Sequence, residues 1–189
     1  MKSKLLKQHP TIGCCGIDCG LCPRFYTDGK SKCPGCVGID FYNKHPSCPI
    51  ITCCFIGKGL ETCAECAQLP CEKIIKWDKA DSFVTHRKTL INLNHIKEIG
   101  TPFFVKQQHI RIKLLNKLLK DYDDGRSKSF YCLAVTLLPI EELKIAMIEI
   151  KTIKNKANDR KQVAYMLKEI FNKLSKKNGI ELIYRNKKA

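Results

Sequence analysis

The sequence predicts an α-rich protein: a small, irregular, metal-stapled cysteine-rich module followed by an antiparallel helical bundle. Two observations carry that prediction. Twelve of the thirteen cysteines fall between Cys14 and Cys71, and the stretch from Gly13 to Cys71 holds eight of the eleven glycines and five of the eight prolines. Such punctuation forbids long helices or strands and favours turns. Beyond Pro70-Cys71-Glu72 the texture changes to apolar residues recurring at three-, four- and seven-residue steps, the signature of amphipathic helices.

The chain therefore divides into a basic leader (1–12), a cysteine-rich module (13–76) and a helical region (77–189). The leader carries positive charge without an apolar stretch behind it, so no secretory signal is visible and the expected address is cytoplasmic. No apolar run approaches the length of a membrane span, so no membrane partner is expected.

Within the helical region, Asp81 or Ser82 is the predicted N-cap of a helix through Leu90, Leu93 and Ile96, with Gly100 past its end. Thr101-Pro102 starts a second helix with Phe103, Ile110, Leu114, Leu115, Leu118, Leu119 and Tyr122 inward. Ser127 caps a third, whose stripe is Phe130, Leu133, Ala134 and Leu137. Pro139 opens a fourth, with Ile140, Leu143, Met147 and Ile150 inward. Asn158 caps a fifth, with Val163, Leu167, Ile170, Phe171 and Leu174 as its stripe and Asn178-Gly179 as its stop. Ile180 to Tyr184 alternates apolar and polar residues, which predicts a short C-terminal strand or an extended tail. Five stripes want one shared core, and a small bundle supplies it.

The net charge of +16 is unevenly placed. Residues 1–72 carry eight Lys/Arg against six Asp/Glu, and residues 73–189 carry twenty-six against twelve. A basic face can bind nucleic acid through counterion release. Yet lysines outnumber arginines twenty-eight to six, and Arg supplies most bidentate phosphate and base recognition. Aromatics do not interleave the basic residues as they do in single-strand binders. A solvated surface is the favoured reading, with a nucleic-acid partner or an unknown protein partner as the alternatives.

The cysteine module reads Cys14-Cys15-Gly-Ile-Asp-Cys19-Gly-Leu-Cys22-Pro, Cys33-Pro-Gly-Cys36, Cys48-Pro-Ile-Ile-Thr-Cys53-Cys54, Cys63-Ala-Glu-Cys66 and Leu69-Pro70-Cys71-Glu72. Three pairs, Cys19/Cys22, Cys33/Cys36 and Cys63/Cys66, have the two-residue gap that lets two thiolates of one turn reach one ion. A segment so poor in apolar side chains cannot hold together by burial alone and needs staples. A reducing compartment argues against disulfides and for metal. Zinc, two or three ions per chain, is the leading cofactor. An iron–sulfur cluster is the alternative, because it takes the same ligands. Cys15-x3-Cys19-x2-Cys22 has the spacing of the cluster motif of radical S-adenosylmethionine enzymes, but no strand–helix alternation follows it. Cys132 stands alone and reads as core packing.

Taken together, Cys15-Gly-x-x-Cys19-x-x-Cys22-Pro, Cys33-x-Gly-Cys36, Cys48-x4-Cys53 and Cys63-x-x-Cys66-x3-Pro70-Cys71-Glu72-Lys73 resemble a prokaryotic cysteine-rich family known only as a domain of unknown function and described as zinc-binding. The likeness covers roughly residues 13–76. It implies metal ligation by Cys15, Cys19, Cys22, Cys33, Cys36, Cys48, Cys53, Cys63, Cys66 and Cys71. Cys14 and Cys54 are extra to the pattern, and each adjoins a matched cysteine for which it could substitute. Ten is not a multiple of four, so His45, an extra cysteine or an open position would complete one site.

Other chemistry is sparse. A helix from Glu72 to Trp77 would place its N-terminus at Cys71, favouring a thiolate there as ligand or nucleophile. His45 has ligand spacing from Cys48 but precedes Pro46 in a turn. His86, His95 and His109 read as surface or interface residues. Asp121, Asp123 and Asp124 could serve as acid and base, although ahead of Gly125-Arg126 a solvated turn is the simpler account. No phosphate loop, Ser-His-Asp set or His-Glu-x-x-His motif is present.

Overall fold

A computed structural model describes residues 6–45, 47–153, 155, 157 and 159–185. The protein is α-rich, and among the described residues no strand occurs. Among the described residues, seven α-helices follow in order: α1 (Pro49–Ile51), α2 (Glu72–Trp77), α3 (Thr89–Ile99), α4 (Thr101–Tyr122), α5 (Lys128–Leu137), α6 (Ile140–Ile153) and α7 (Arg160–Lys177). The chain forms two compact units, one of residues 1–108 with 184–189 and the other of residues 109–183.

The first unit is built mainly from turns. Short 3-10 turns cover Cys19–Leu21, Pro23–Tyr26, Gly29–Ser31, Phe41–Asn43 and Cys63–Glu65, and α1 runs on into a π-helical turn, Thr52–Gly57. From residue 13 to residue 59, Pro or Gly recurs at intervals of no more than eight residues, which leaves no room for longer elements. The interior mixes thiols with aliphatic and aromatic groups: Ile12, Val37, Phe41, Ile50, Phe55, Ile74 and Leu93 lie among Cys14, Cys36 and Cys54. Helix α3 starts at Thr89, not near Asp81 as its capping residues suggested. The Asp81 carboxylate is spent elsewhere, accepting the backbone N–H of His86 at 2.8 Å and of Arg185 at 2.9 Å.

The first turns of α4 bury Thr101, Phe104, Val105 and Gln108, whereas Phe103 and Ile110 face solvent. The predicted stripe is corrected by one position there. A polar residue, Gln108, takes the inward place because it has a buried partner.

In the second unit, Leu115, Leu118, Tyr131, Leu143, Ile150, Leu167 and Phe171 are fully buried. Tyr131 and Phe171 meet edge to face with centroids 6.2 Å apart, and the Tyr131 hydroxyl donates to the Tyr122 carbonyl at 3.0 Å. Helix α5 is buried continuously from Tyr131 to Leu137, wider than the four-residue stripe read from its periodicity. Cys132 is buried within it, as core packing requires. Ser127 occupies the N-cap position, but its hydroxyl donates to Asp124 instead of capping. Asp159 caps α7, accepting from the Gln162 N–H at 2.8 Å; the predicted cap Asn158 lies outside the described residues. Helices α6 and α7 pack on each other.

Residues 180–185 are irregular, so the tail reading replaces the strand. A lone strand would need a partner edge. Here the backbone of Arg185 pairs with a side chain and with the Asp81 N–H instead.

Candidate metal centre

None of the thirteen cysteines forms a disulfide. The fold divides the twelve of the module between two concavities of the first unit. Cys14, Cys15, Cys19, Cys22, Cys33, Cys36 and Cys48 line a cavity of about 220 Å³, together with Ile17, Phe41, His45 and Trp77. Cys53, Cys54, Cys63, Cys66 and Cys71 line a second of about 160 Å³, at whose rim stand Lys58 and Gln68.

Local chemistry explains how each turn is held. The Cys19 carbonyl accepts the Cys22 N–H at 3.2 Å, and the Cys63 carbonyl accepts the Cys66 N–H at 3.1 Å, closing two knuckle-like turns. The second is reinforced by a reciprocal cap in which the Glu65 carboxylate accepts the Thr62 N–H at 2.8 Å. That capping box was legible as Thr-x-x-Glu. The Cys33/Cys36 pair is not closed this way: Cys33 N–H bonds to Arg24 and Cys36 N–H to Pro10. Gly35 lies at φ +87°, and a Cβ there would sit 2.4 Å from the Pro10 carbonyl oxygen, so only glycine permits this approach.

The Cys15–Cys22 loop is clamped from outside. Asp18 is buried and its carboxylate accepts from Asn92 Nδ2 and Gln108 Nε2, each at 2.8 Å. The backbone joins the two cysteine sets where Cys63 N–H donates to the Cys14 carbonyl at 2.8 Å.

Several sulfurs are set up as hydrogen-bond acceptors. Backbone N–H groups of Ile17, of Arg24 and Phe25, and of Gln68 point to Cys15, Cys22 and Cys66 respectively. Burial nevertheless pushes the Cys15 thiol up to about 12 and that of Cys22 to about 11, and it raises Cys19 as well. The Gln68 N–H and the Lys58 ammonium, 3.1 Å from Sγ, hold Cys66 below the ordinary thiol range. Cys14 is drawn down to about 3 by hydrogen bonds from the Cys36 and Cys54 thiols.

Among the described residues, no three His, Cys, Asp or Glu side chains already surround one point closely enough to hold an ion. No family model, curated protein or solved structure matches the chain. The donor set itself fits a thiophilic metal. It is all sulfur, partly or fully buried, and supplied with N–H donors that favour the thiolate form.

The remaining sequence candidates sort out plainly. Cys71 is the N-cap of α2 and stands at the second cavity. His45 lines the first cavity and stacks on Phe41 with centroids 4.6 Å apart. His86 is buried, not a surface residue, stacked on Trp77 and bonded to its carbonyl at 2.8 Å. Asp123 and Asp124 accept the Ser127 and Arg126 N–H groups, which is a turn role. Sequence reasoning missed Asp18, Asn92, Gln108 and the buried Lys7, since a polar residue in an unremarkable position carries no periodic signal.

Proposed function

We propose that this chain is a metal–thiolate protein in which zinc staples the cysteine-rich module, with the helical region as an attached antiparallel bundle. One observation supports it above the rest: the fold gathers twelve unpaired cysteines, far apart in sequence, around two adjacent cavities. Cysteines used merely as small hydrophobes would be dispersed through a core, as Cys132 is. The resemblance of residues 13–76 implies the same chemistry for its ten positions, each of which lines one of the cavities. Free thiols suit a reducing, cytoplasmic setting. The role is structural, presenting the stapled surface to a partner.

The first cavity favours a second reading. Its volume of about 220 Å³ is many times the ~10–15 Å³ that one water-sized occupant needs, and Cys15-x3-Cys19-x2-Cys22 lies on its wall. An iron–sulfur cluster serving electron transfer fits that space and ligand type.

Metal and acid-labile sulfide content, with a visible spectrum, on protein purified without oxygen decides between them. Two or three zinc ions per chain and no sulfide are expected. Iron with matching sulfide and a broad visible band would replace the zinc reading, and metal-free folded protein would remove both.

A further inference from the structure

Ser82, His86 and the Trp77 carbonyl form one connected line. His86 Nδ1 lies 2.8 Å from the Trp77 carbonyl oxygen, and Nε2 lies 3.1 Å from the Ser82 hydroxyl. A carbonyl only accepts, so Nδ1 carries the proton of the neutral ring and Nε2 accepts from the Ser82 O–H. A hydroxyl bonded to an imidazole that a third group orients is the arrangement of an activated nucleophile. The Ser82–His86 distance is within the reach of about 2.6–3.2 Å that proton transfer needs.

The ring is held on several sides. His86 is buried at 3% exposure and stacks on the Trp77 indole with centroids 4.7 Å apart. Its backbone N–H donates to the Asp81 carboxylate at 2.8 Å. Ser82 is placed differently, on the exposed side of the pair. A serine kept only to satisfy a buried imidazole would be enclosed with it.

Space and charge meet at the same place. Ser82 and His86 line a groove of about 350 Å³ whose apolar side is Pro49, Ile50 and Trp77. That volume falls within the ~300–1,000 Å³ of small-molecule sites. Lys73 and Lys76 line the groove too, and positive charge stabilises an oxyanion that develops beside it. The third member of the line is a backbone carbonyl, which any residue carries, so no Ser-His-Asp motif announces the site.

We infer that this groove hydrolyses small carboxylic esters, with Ser82 as nucleophile, His86 as general base and the Trp77 carbonyl orienting the imidazole. The Ser82 oxygen adds to the ester carbonyl carbon while its proton passes to Nε2. The tetrahedral intermediate expels the alcohol, which leaves with that proton, and acyl-Ser82 remains. Water then adds to the acyl carbon and gives a proton to Nε2. Ser82 departs with that proton, and the carboxylic acid is released. No cysteine takes part, so the activity stands apart from the metal–thiolate reading.

A fluorophosphonate is the probe, because its phosphorus takes an activated serine oxygen with loss of fluoride. Mass spectrometry of the full chain after labelling should find one phosphonyl group, on Ser82, and none in Ser82→Ala. In His86→Gln with unchanged circular dichroism, labelling should slow by about 100-fold, the low end of what a positioned base contributes. Wild type should also turn over p-nitrophenyl acetate repeatedly. Thiols react with that ester as well, so the rate that counts is the part removed by Ser82→Ala. An unlabelled Ser82, equal labelling rates in wild type and His86→Gln, or equal ester rates in wild type and Ser82→Ala would overturn the assignment. Ser82 is exposed, so wild type and Ser82→Ala decide even where the histidine variant fails to fold.

Discussion

Asn92 reaches back across the first unit to Asp18, its Nδ2 donating to the carboxylate and to the Gly16 carbonyl at 2.8 Å each. One amide thus ties α3 to both ends of the loop segment between Cys15 and Cys19. Gln108 completes the clamp from α4. Asn92→Ala leaves a buried carboxylate with one of its donors gone, and hydrogen bonds to charged groups contribute roughly 1.5–3 kcal/mol. A loss of that size in urea unfolding is expected. An unchanged midpoint would show that Asp18 finds water or another donor.

Gly16 and Gly125 separate two costs that usually travel together. Both lie in the left-handed region, at φ +83° and +86°. A Cβ on Gly16 would meet the Thr89 carbonyl oxygen at 2.6 Å, whereas one on Gly125 meets nothing within 4 Å. Gly125→Ala should therefore lose only the conformational cost of about 1–2 kcal/mol. Gly16→Ala should lose distinctly more, because the loop must move off α3. Equal losses in thermal or urea unfolding would dismiss the close approach.

The buried His86 predicts a pH dependence. Burial first, and the Arg185 charge among lesser opposing effects, put its folded-state pKa below the usual 6.5. Below 6.5 the unfolded chain takes up this proton before the folded one does, so folding is penalised as pH falls. Its contribution is whole above pH 6.5, declines as pH drops toward the folded pKa, and levels off once both states are protonated. Urea midpoints measured from pH 8 to 5 should fall more steeply in wild type than in His86→Gln. Parallel curves would contradict this placement.

Metal removal should separate the two units. The turns of residues 13–76 have few helical hydrogen bonds of their own and an interior shared with thiols. The second unit is closed by Tyr131, Phe171 and aliphatic residues without any cysteine of the module. After treatment with a strong chelator, amide exchange should accelerate in 13–76 while α5 to α7 stay protected. Loss of protection in both at once would mean that the units unfold as one.

Much of the helical half was legible from sequence. Apolar spacing located α4 to α7, and Gly100, Pro139 and Asn178-Gly179 marked boundaries where the chain does turn. The errors arise where a side chain serves a distant partner. Asp81 resembles an N-cap, but Arg185 and His86 claim its carboxylate. Phe103 and Ile110 look inward by hydropathy, yet Gln108 holds the inward place through Asp18. The cysteine spacings announced the donor type without its grouping. Which sulfurs meet depends on contacts such as Cys63 to Cys14, which span nearly fifty residues and leave no local trace.

The Asp81–Arg185 pair has a consequence for the order of synthesis. The two residues are 104 positions apart, and the whole of the second unit is translated between them. While the ribosome makes residues 109–183, Asp81 has the Arg87 guanidinium at 4.0 Å but lacks Arg185, and the first unit waits with one seam open. The last stitch of the first unit is sewn only after the second unit has been made.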